Sequence, residues 1–95
     1  MIEDIAKRIL KHYGTPHQKA KTIEELAELI VALQKDLLAC KKELWRETLE
    51  EVADVRIMLM QLLDKDDDKK AVNDLILYKL ERQIQRIEKE KEWTE

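Results

Sequence analysis

Leu37-Leu38-Ala39-Cys40-Lys41-Lys42-Glu43-Leu44 contains neither Gly nor Pro, yet the helical phase of the chain changes across it. Upstream, Ile23, Leu26, Ile30, Leu33 and Leu37 recur at steps of three and four, an apolar stripe along one helix. Continued at the same steps, that stripe runs into Cys40, Leu44, Glu47, Glu51 and Asp54 and turns acidic. The downstream stripe instead follows Leu44, Thr48, Val52, Val55, Leu59 and Leu62. One unbroken helix does not carry both phases; a break near residues 39–43 restores each stripe to its own helix. The stretch therefore predicts a helical hairpin.

Two more helices flank it. Residues 2–12 place Ile2, Ile5, Ile9 and Leu10 at helical spacing, and Gly14 is a fitting stop. Thr15-Pro16 reads as N-cap and first turn of the long second helix. Asp64 to Asp68 is a charged break. Beyond it Ala71, Val72, Leu75, Ile76, Leu80, Ile84 and Ile87 mark a fourth helix, expected to fray in its Glu/Lys-rich tail. One Gly, one Pro, no Phe and no sustained alternation leave no strand signal. The expected fold is all-α: a four-helix protomer, one domain over 1–95, with an antiparallel central hairpin. Ninety-five residues bury a modest core, so association through the apolar stripes is expected.

Composition narrows the partners. A net charge of −3 lacks the basic balance of a nucleic-acid binder. The single cysteine, Cys40, excludes an intrachain disulfide and a Cys-based zinc site, and fits a reducing cytoplasm. Met1-Ile2-Glu3-Asp4 starts no signal peptide, and no apolar run approaches membrane-spanning length. The expectation is a soluble cytoplasmic protein with no nucleic-acid or membrane partner.

The chemistry lies in two carboxylate pairs, Glu25 with Glu28 and Glu51 with Asp54. Residues three apart project from one face of a helix. The midpoint between the pairs falls at residue 39 or 40, so a hairpin there brings both to the same height at ~1.5 Å per residue. Four converging carboxylates repel one another and call for a cation; an all-oxygen set suits Mg²⁺ or Mn²⁺. At ~100° per residue, Glu51 lies inside the apolar stripe of its helix, between Leu44, Met58 and Leu62. Asp54 and Glu47 lie along that stripe's edge. A carboxylate in a core stripe is costly unless paired or bound to metal. Glu25 sits at the margin of its helix's apolar face and Glu28 further toward the polar side, where a solvated acidic face is the competing explanation. Lys79, Arg82 and Arg86 form a basic row on the fourth helix, either a salt-bridged surface or a phosphate clamp. Lys21, four residues before Glu25, is placed to pair with it.

Glu24-Glu25-Leu26-Ala27-Glu28-Leu29 followed by Glu50-Glu51-Val52-Ala53-Asp54-Val55 resembles the E-E-x-x-E … E-x-x-D signature of MazG-like, all-α nucleoside triphosphate pyrophosphohydrolases. Tyr13-Gly14, then Gln18, Lys21, Glu24 and Glu25, resemble the approach to the first motif in short bacterial and phage members. Lys79 to Ile87 is similar to their basic C-terminal helix, and the likeness covers roughly residues 9–90. Many of those proteins carry a Gly-containing loop where this chain has Cys40-Lys41-Lys42. The resemblance implies Mg²⁺ held by Glu25, Glu28, Glu51 and Asp54, and cleavage of the α–β phosphoanhydride to a nucleoside monophosphate and pyrophosphate. Glu24 or Glu47 would take the proton of the attacking water. Lys79, Arg82 and Arg86 would hold pyrophosphate, with Lys21 and Gln18 toward the nucleotide. It also implies a homodimer or homotetramer with sites near subunit contacts.

Two other classes compete. A di-iron carboxylate bundle needs Glu-x-x-His on two helices, and neither His12 nor His17 follows a glutamate at that spacing. A non-enzymatic helical oligomer or nucleotide- or partner-binding module would use the stripes as seams and the acidic rows as solvated faces. That class predicts no dependence on divalent metal.

Overall fold

The computed structural model describes residues 1–40 and 44–94. Four helices account for nearly all of them: α1 (Ile2–Tyr13), α2 (Thr15–Leu38), α3 (Arg46–Leu62) and α4 (Asp66–Thr94). There is no strand among the described residues, so the chain is all-α as its periodicity requires. No helix is long and apolar enough to cross a membrane among the described residues.

The helix ends show how the sequence cuts the chain. Gly14 has φ +87, a left-handed value that a side chain resists. Its N–H donates to Leu10 O at 2.7 Å, and its carbonyl accepts from Gln18 N at 3.1 Å. One residue thus closes α1 and caps α2. Thr15, expected as the cap, is instead the first helical residue, with Pro16 in the first turn. At the other end of α2, Ala39 N donates to Lys35 O at 3.0 Å and Cys40 N to Leu37 O at 3.1 Å. Cys40 itself sits at φ +53, where helices usually place Gly. The helix therefore stops within the expected break, whose Lys41–Glu43 part lies outside the described residues. Trp45, extended at φ −67 and ψ 159, precedes α3 and accepts from Leu49 N at 3.0 Å. The third helix begins at Arg46, two residues later than the apolar stripe suggests.

Met1–Asp64 and Lys65–Glu95 form two compact units. In the first, α2 and α3 run antiparallel. Gln18 meets Gln61, Glu25 meets Asp54 and Glu28 meets Glu51, each pair centred between Ala39 and Cys40. Such a fixed centre is the signature of an in-register hairpin. α1 packs on it through buried Ala6 and Leu10, opposite Ile57.

The face that α2 buries is not the apolar one. Gln18, Thr22, Glu25 and Asp36 are its buried residues, against Thr48, Val55, Met58 and Gln61 of α3. The expected core stripe of α2 faces outward: Ile23 is 70% exposed, Leu37 is 78% exposed, and Leu26, Ile30 and Leu33 are exposed too. Each of these residues follows an inward position by one (Thr22, Glu25, Leu29, Ala32 or Asp36), a rotation of about 100°. α2 thus presents two useful faces, a polar one to α3 and an apolar one that stays uncovered within the unit. Buried polar side chains need partners, and the amides find them: Gln18 Nε2 donates to Gln61 Oε1 at 2.7 Å, and Gln61 Nε2 to Ala6 O at 3.2 Å. Thr22 Oγ1 donates back to Gln18 O at 2.7 Å. This chain of bonds ties α1, α2 and α3 together.

The second unit is α4 alone. Asp66, Asp67 and Asp68 occupy its first turn, where negative charge meets the positive end of the helix dipole. That arrangement starts the helix five residues before Ala71. It continues to Thr94. Lys70 pairs with Asp74 at 2.9 Å along its surface, and Leu75, Ile76, Leu80, Ile84 and Ile87 are exposed.

Candidate metal centre

The polar interface of α2 and α3 holds the carboxylates. Glu25, Glu28 and Glu51 each bring one oxygen within 4.8 Å of the others. Asp54 adjoins the same group through Glu25. Burial, then the charge of Glu25, holds its carboxyl above the usual range, with Lys21 pulling the other way. Glu28 is raised too, first by the charge of Glu25, then by partial desolvation and by Glu51. Glu25, Glu28 and Glu51 thus form one cluster, and Asp54 lies beside it next to Glu25.

One cation already serves it. Lys21 Nζ lies 3.3 Å from Glu25 Oε1 and 3.5 Å from Glu24 Oε2. These acids, the hydrogen bond to Glu25 foremost, raise its ammonium pKa. A single lysine does not neutralise four carboxylates. Glu25 is 7% exposed, and its Oε2 is buried with no hydrogen-bond partner; the same is true of Glu51 Oε2. A buried, unpaired carboxylate oxygen is costly, and two of them meet here. Hard oxygen donors with free lone pairs fit a divalent cation such as Mg²⁺ or Mn²⁺.

A cavity of about 310 Å³ opens directly beside the cluster. Glu28 and Glu51 line it at the cluster's end, and Glu47, one turn before Glu51, lines it too. Val31 and Ala32 of α2, with Trp45, add apolar residues to the lining. Lys35 adds the cavity's one basic group among its lining residues. A larger hollow of about 610 Å³ lies along α1, but no carboxylate lines it.

The remaining expected site residues fall elsewhere. Gln18 is buried, its amide held by Gln61 and by His17 Nδ1 at 2.7 Å, so it acts as a tie between helices. Glu24 is exposed and paired with Lys21. Lys79, Arg82 and Arg86 lie on α4, in the other unit, and the carboxylate cluster is built without them. On α4, the Arg82 guanidinium lies 5.6 Å from the Tyr78 ring centroid, and its Nε is buried without a hydrogen-bond partner. Sequence reasoning passed over Lys35 and Asp36. Asp36 is 5% exposed, with neither carboxylate oxygen hydrogen-bonded. It continues the inward row of Gln18, Thr22, Glu25 and Ala32, a polar periodicity hidden behind the apolar one. No protein-family model, no curated protein and no solved structure matches the chain, so the site is read from its own residues.

Proposed function

We propose that the chain is a Mg²⁺-dependent nucleoside triphosphate pyrophosphohydrolase of MazG-like type, splitting the α–β phosphoanhydride. The observation that carries this reading is the cluster of Glu25, Glu28 and Glu51, with Asp54 beside it and two buried, unpartnered oxygens, next to a cavity. Glu25, Glu28, Glu51 and Asp54 are the residues that would hold the metal; Mn²⁺ satisfies the same donors. A bound divalent ion supplies neutralisation of the triphosphate and a water of lowered pKa. The protein does the rest. Glu47 lines the cavity with Glu28 and Glu51, whereas Glu24 is committed to Lys21, so Glu47 is the better-placed proton acceptor. Water adds to phosphorus, the anhydride bond breaks, and the products are a nucleoside monophosphate and pyrophosphate. Lys21 fixes the rotamer of Glu25 and offsets part of the cluster's charge. Lys79, Arg82 and Arg86, at steps of three and four along α4, form a basic row suited to an anion such as pyrophosphate.

The same reading includes a homodimer or larger homo-oligomer. A heptad-like row, Ile23, Leu26, Ile30, Leu33 and Leu37, uncovered within its unit, supports it, since such a row calls for a facing helix. That exposed row also favours the second class, a non-enzymatic helical oligomer. The test separates them. Nucleoside triphosphates, canonical and damaged, are incubated with and without Mg²⁺, and products are resolved. Monophosphate plus pyrophosphate, dependent on Mg²⁺ and reduced roughly 100-fold or more in Glu51→Gln, is the expected result. Release of single orthophosphates, or equal turnover by the variant, refutes the mechanism; no turnover at all leaves the non-enzymatic class.

A further inference from the structure

We propose that the buried Gln18–Gln61 pair is a register pin, which positions Glu25 and Glu28 opposite Glu51 and Asp54 before any metal arrives. Its functional meaning rests on the metal-centre reading above; the pin itself stands on the hydrogen bonds of the hairpin. The acids repel one another across the interface of α2 and α3, so the register that builds the site is opposed by the site's own charge. Little apolar packing resists that. Among the described residues, the buried apolar side chains of these two helices are Val55 and Met58, both on α3, while α2 buries Gln18, Thr22, Glu25 and Asp36. A buried polar pair between facing helices fixes their register where apolar knobs do not. Each glutamine is 3% exposed, so an amide that loses its partner finds no water to replace it. A slip of one turn would leave both unsatisfied.

The pin has a direction, fixed from one end. The Ala6 carbonyl only accepts, so Gln61 presents Nε2 to it, at 3.2 Å, and turns Oε1 to Gln18. Gln18 then donates through Nε2 at 2.7 Å and has Oε1 left for His17, whose Nδ1 lies 2.7 Å away and must carry a hydrogen. The Tyr13 ring stacks on His17 at 4.6 Å between centroids and holds the imidazole where it donates. His17, Gln18, Gln61 and Ala6 thus form one donor-to-acceptor chain through α2, α3 and α1. Gln18 lies seven residues before Glu25 and Gln61 seven after Asp54, the same ~10.5 Å along each helix. The two glutamines are therefore positioning residues, acting on the acids through the register and not as ligands.

Spin labels on Gln34→Cys and Ala53→Cys in a Cys40→Ser background test this, because both positions are exposed and are offset along the hairpin, so a slip changes their separation. In EDTA, with excess unlabelled chain to suppress distances between copies, the parent is expected to give a single narrow distance. Gln18→Met/Gln61→Met removes both amides and leaves neither unpaired by the other. Its distance is expected to shift or split, toward the ~5.4 Å of a one-turn slip, and to return to the parent value at saturating Mg²⁺. Calorimetry is expected to give it roughly tenfold weaker Mg²⁺ binding, as when about a tenth of the chains hold the binding register. Gln61→Asn, too short to reach Gln18 and Ala6 together, should behave the same way and stands in if the double variant does not fold. Long-range ¹H–¹⁵N correlation under mildly alkaline conditions is expected to find the hydrogen on Nδ1 of His17 in the parent, and that preference lost in Gln61→Asn. A parent distance kept by both variants in EDTA, unchanged Mg²⁺ affinity where the distance shifts, or a parent His17 protonated on Nε2 alone overturns the pin. A parent that binds no Mg²⁺ while the variants change distance overturns the metal reading and leaves the pin standing.

Discussion

Four acids in one cluster make a titration signature that a solvated acidic face lacks. Glu28 and Asp54 have folded-state values raised above the ordinary carboxylate range, by Glu25's charge and by burial respectively. A raised acid binds protons more readily folded than unfolded. Stability from this source is therefore fullest below the unfolded value of about 4 and is lost as pH rises through the folded one. Lys21 runs the other way in chemistry but not in this window; it stays charged throughout it, since its value is raised from an already high one. In EDTA, the Tm of Glu28→Gln minus that of the parent is expected to grow as pH rises from 5 to 7. A gap that stays constant or shrinks contradicts mutual repulsion in the cluster. Surface acids paired only with solvent give no such trend.

At the scale of elements, the hairpin turns on a residue that is poor for its conformation. Cys40 holds a left-handed φ of +53 just past α2, a conformation that costs a residue with Cβ roughly 1–2 kcal/mol. Cys40→Gly removes that cost, partly offset by the greater freedom of Gly in the unfolded chain. The expected net gain is about 0.5–1 kcal/mol, read as a Tm increase of roughly 2–8 °C; an unchanged or lower Tm would show that the side chain is not strained. This end of α2 was legible in the sequence because a phase slip records a break even without Gly or Pro. The register was legible too, since symmetric carboxylate spacing about residues 39 and 40 is what an antiparallel hairpin demands. The facing of α2 was not. Apolar periodicity reports which side must leave water, not which neighbour covers it, and here α3 takes the polar side. Gln18, expected toward the nucleotide, lies on that buried row with its amide hydrogen-bonded to Gln61.

At the scale of the molecule, the buried apolar set of the first unit is small, Ala6, Leu10, Val55 and Met58, while larger apolar residues stand outside. Burial of a fully exposed Leu or Ile side chain contributes about 1.5–3 kcal/mol, so leaving five on one α2 stripe forfeits much of the available stabilisation. A second copy that covers Ile23, Leu26, Ile30, Leu33 and Leu37 restores it. Light scattering is expected to give a mass of two or more chains for the parent, and a single chain for the Leu26→Glu/Leu33→Glu double variant. A parent that is already a single chain at micromolar concentration would leave the stripe unexplained by self-association. Under the proposed function, a mutation on the stripe is expected to lower activity through assembly, whereas one at Glu25 or Glu28 is expected to act through the proposed metal site.

The proposed function depends on the carboxylate cluster holding a divalent ion, and calorimetric titration of the metal-free protein with Mg²⁺ and Mn²⁺ measures that directly. Saturable binding is expected, weakened 100-fold or more by Glu51→Gln and little changed by Glu24→Gln, with stabilisation of about 2.7 kcal/mol once the ion exceeds Kd a hundredfold. No saturable binding at millimolar metal, or the same affinity in Glu51→Gln, would contradict the account.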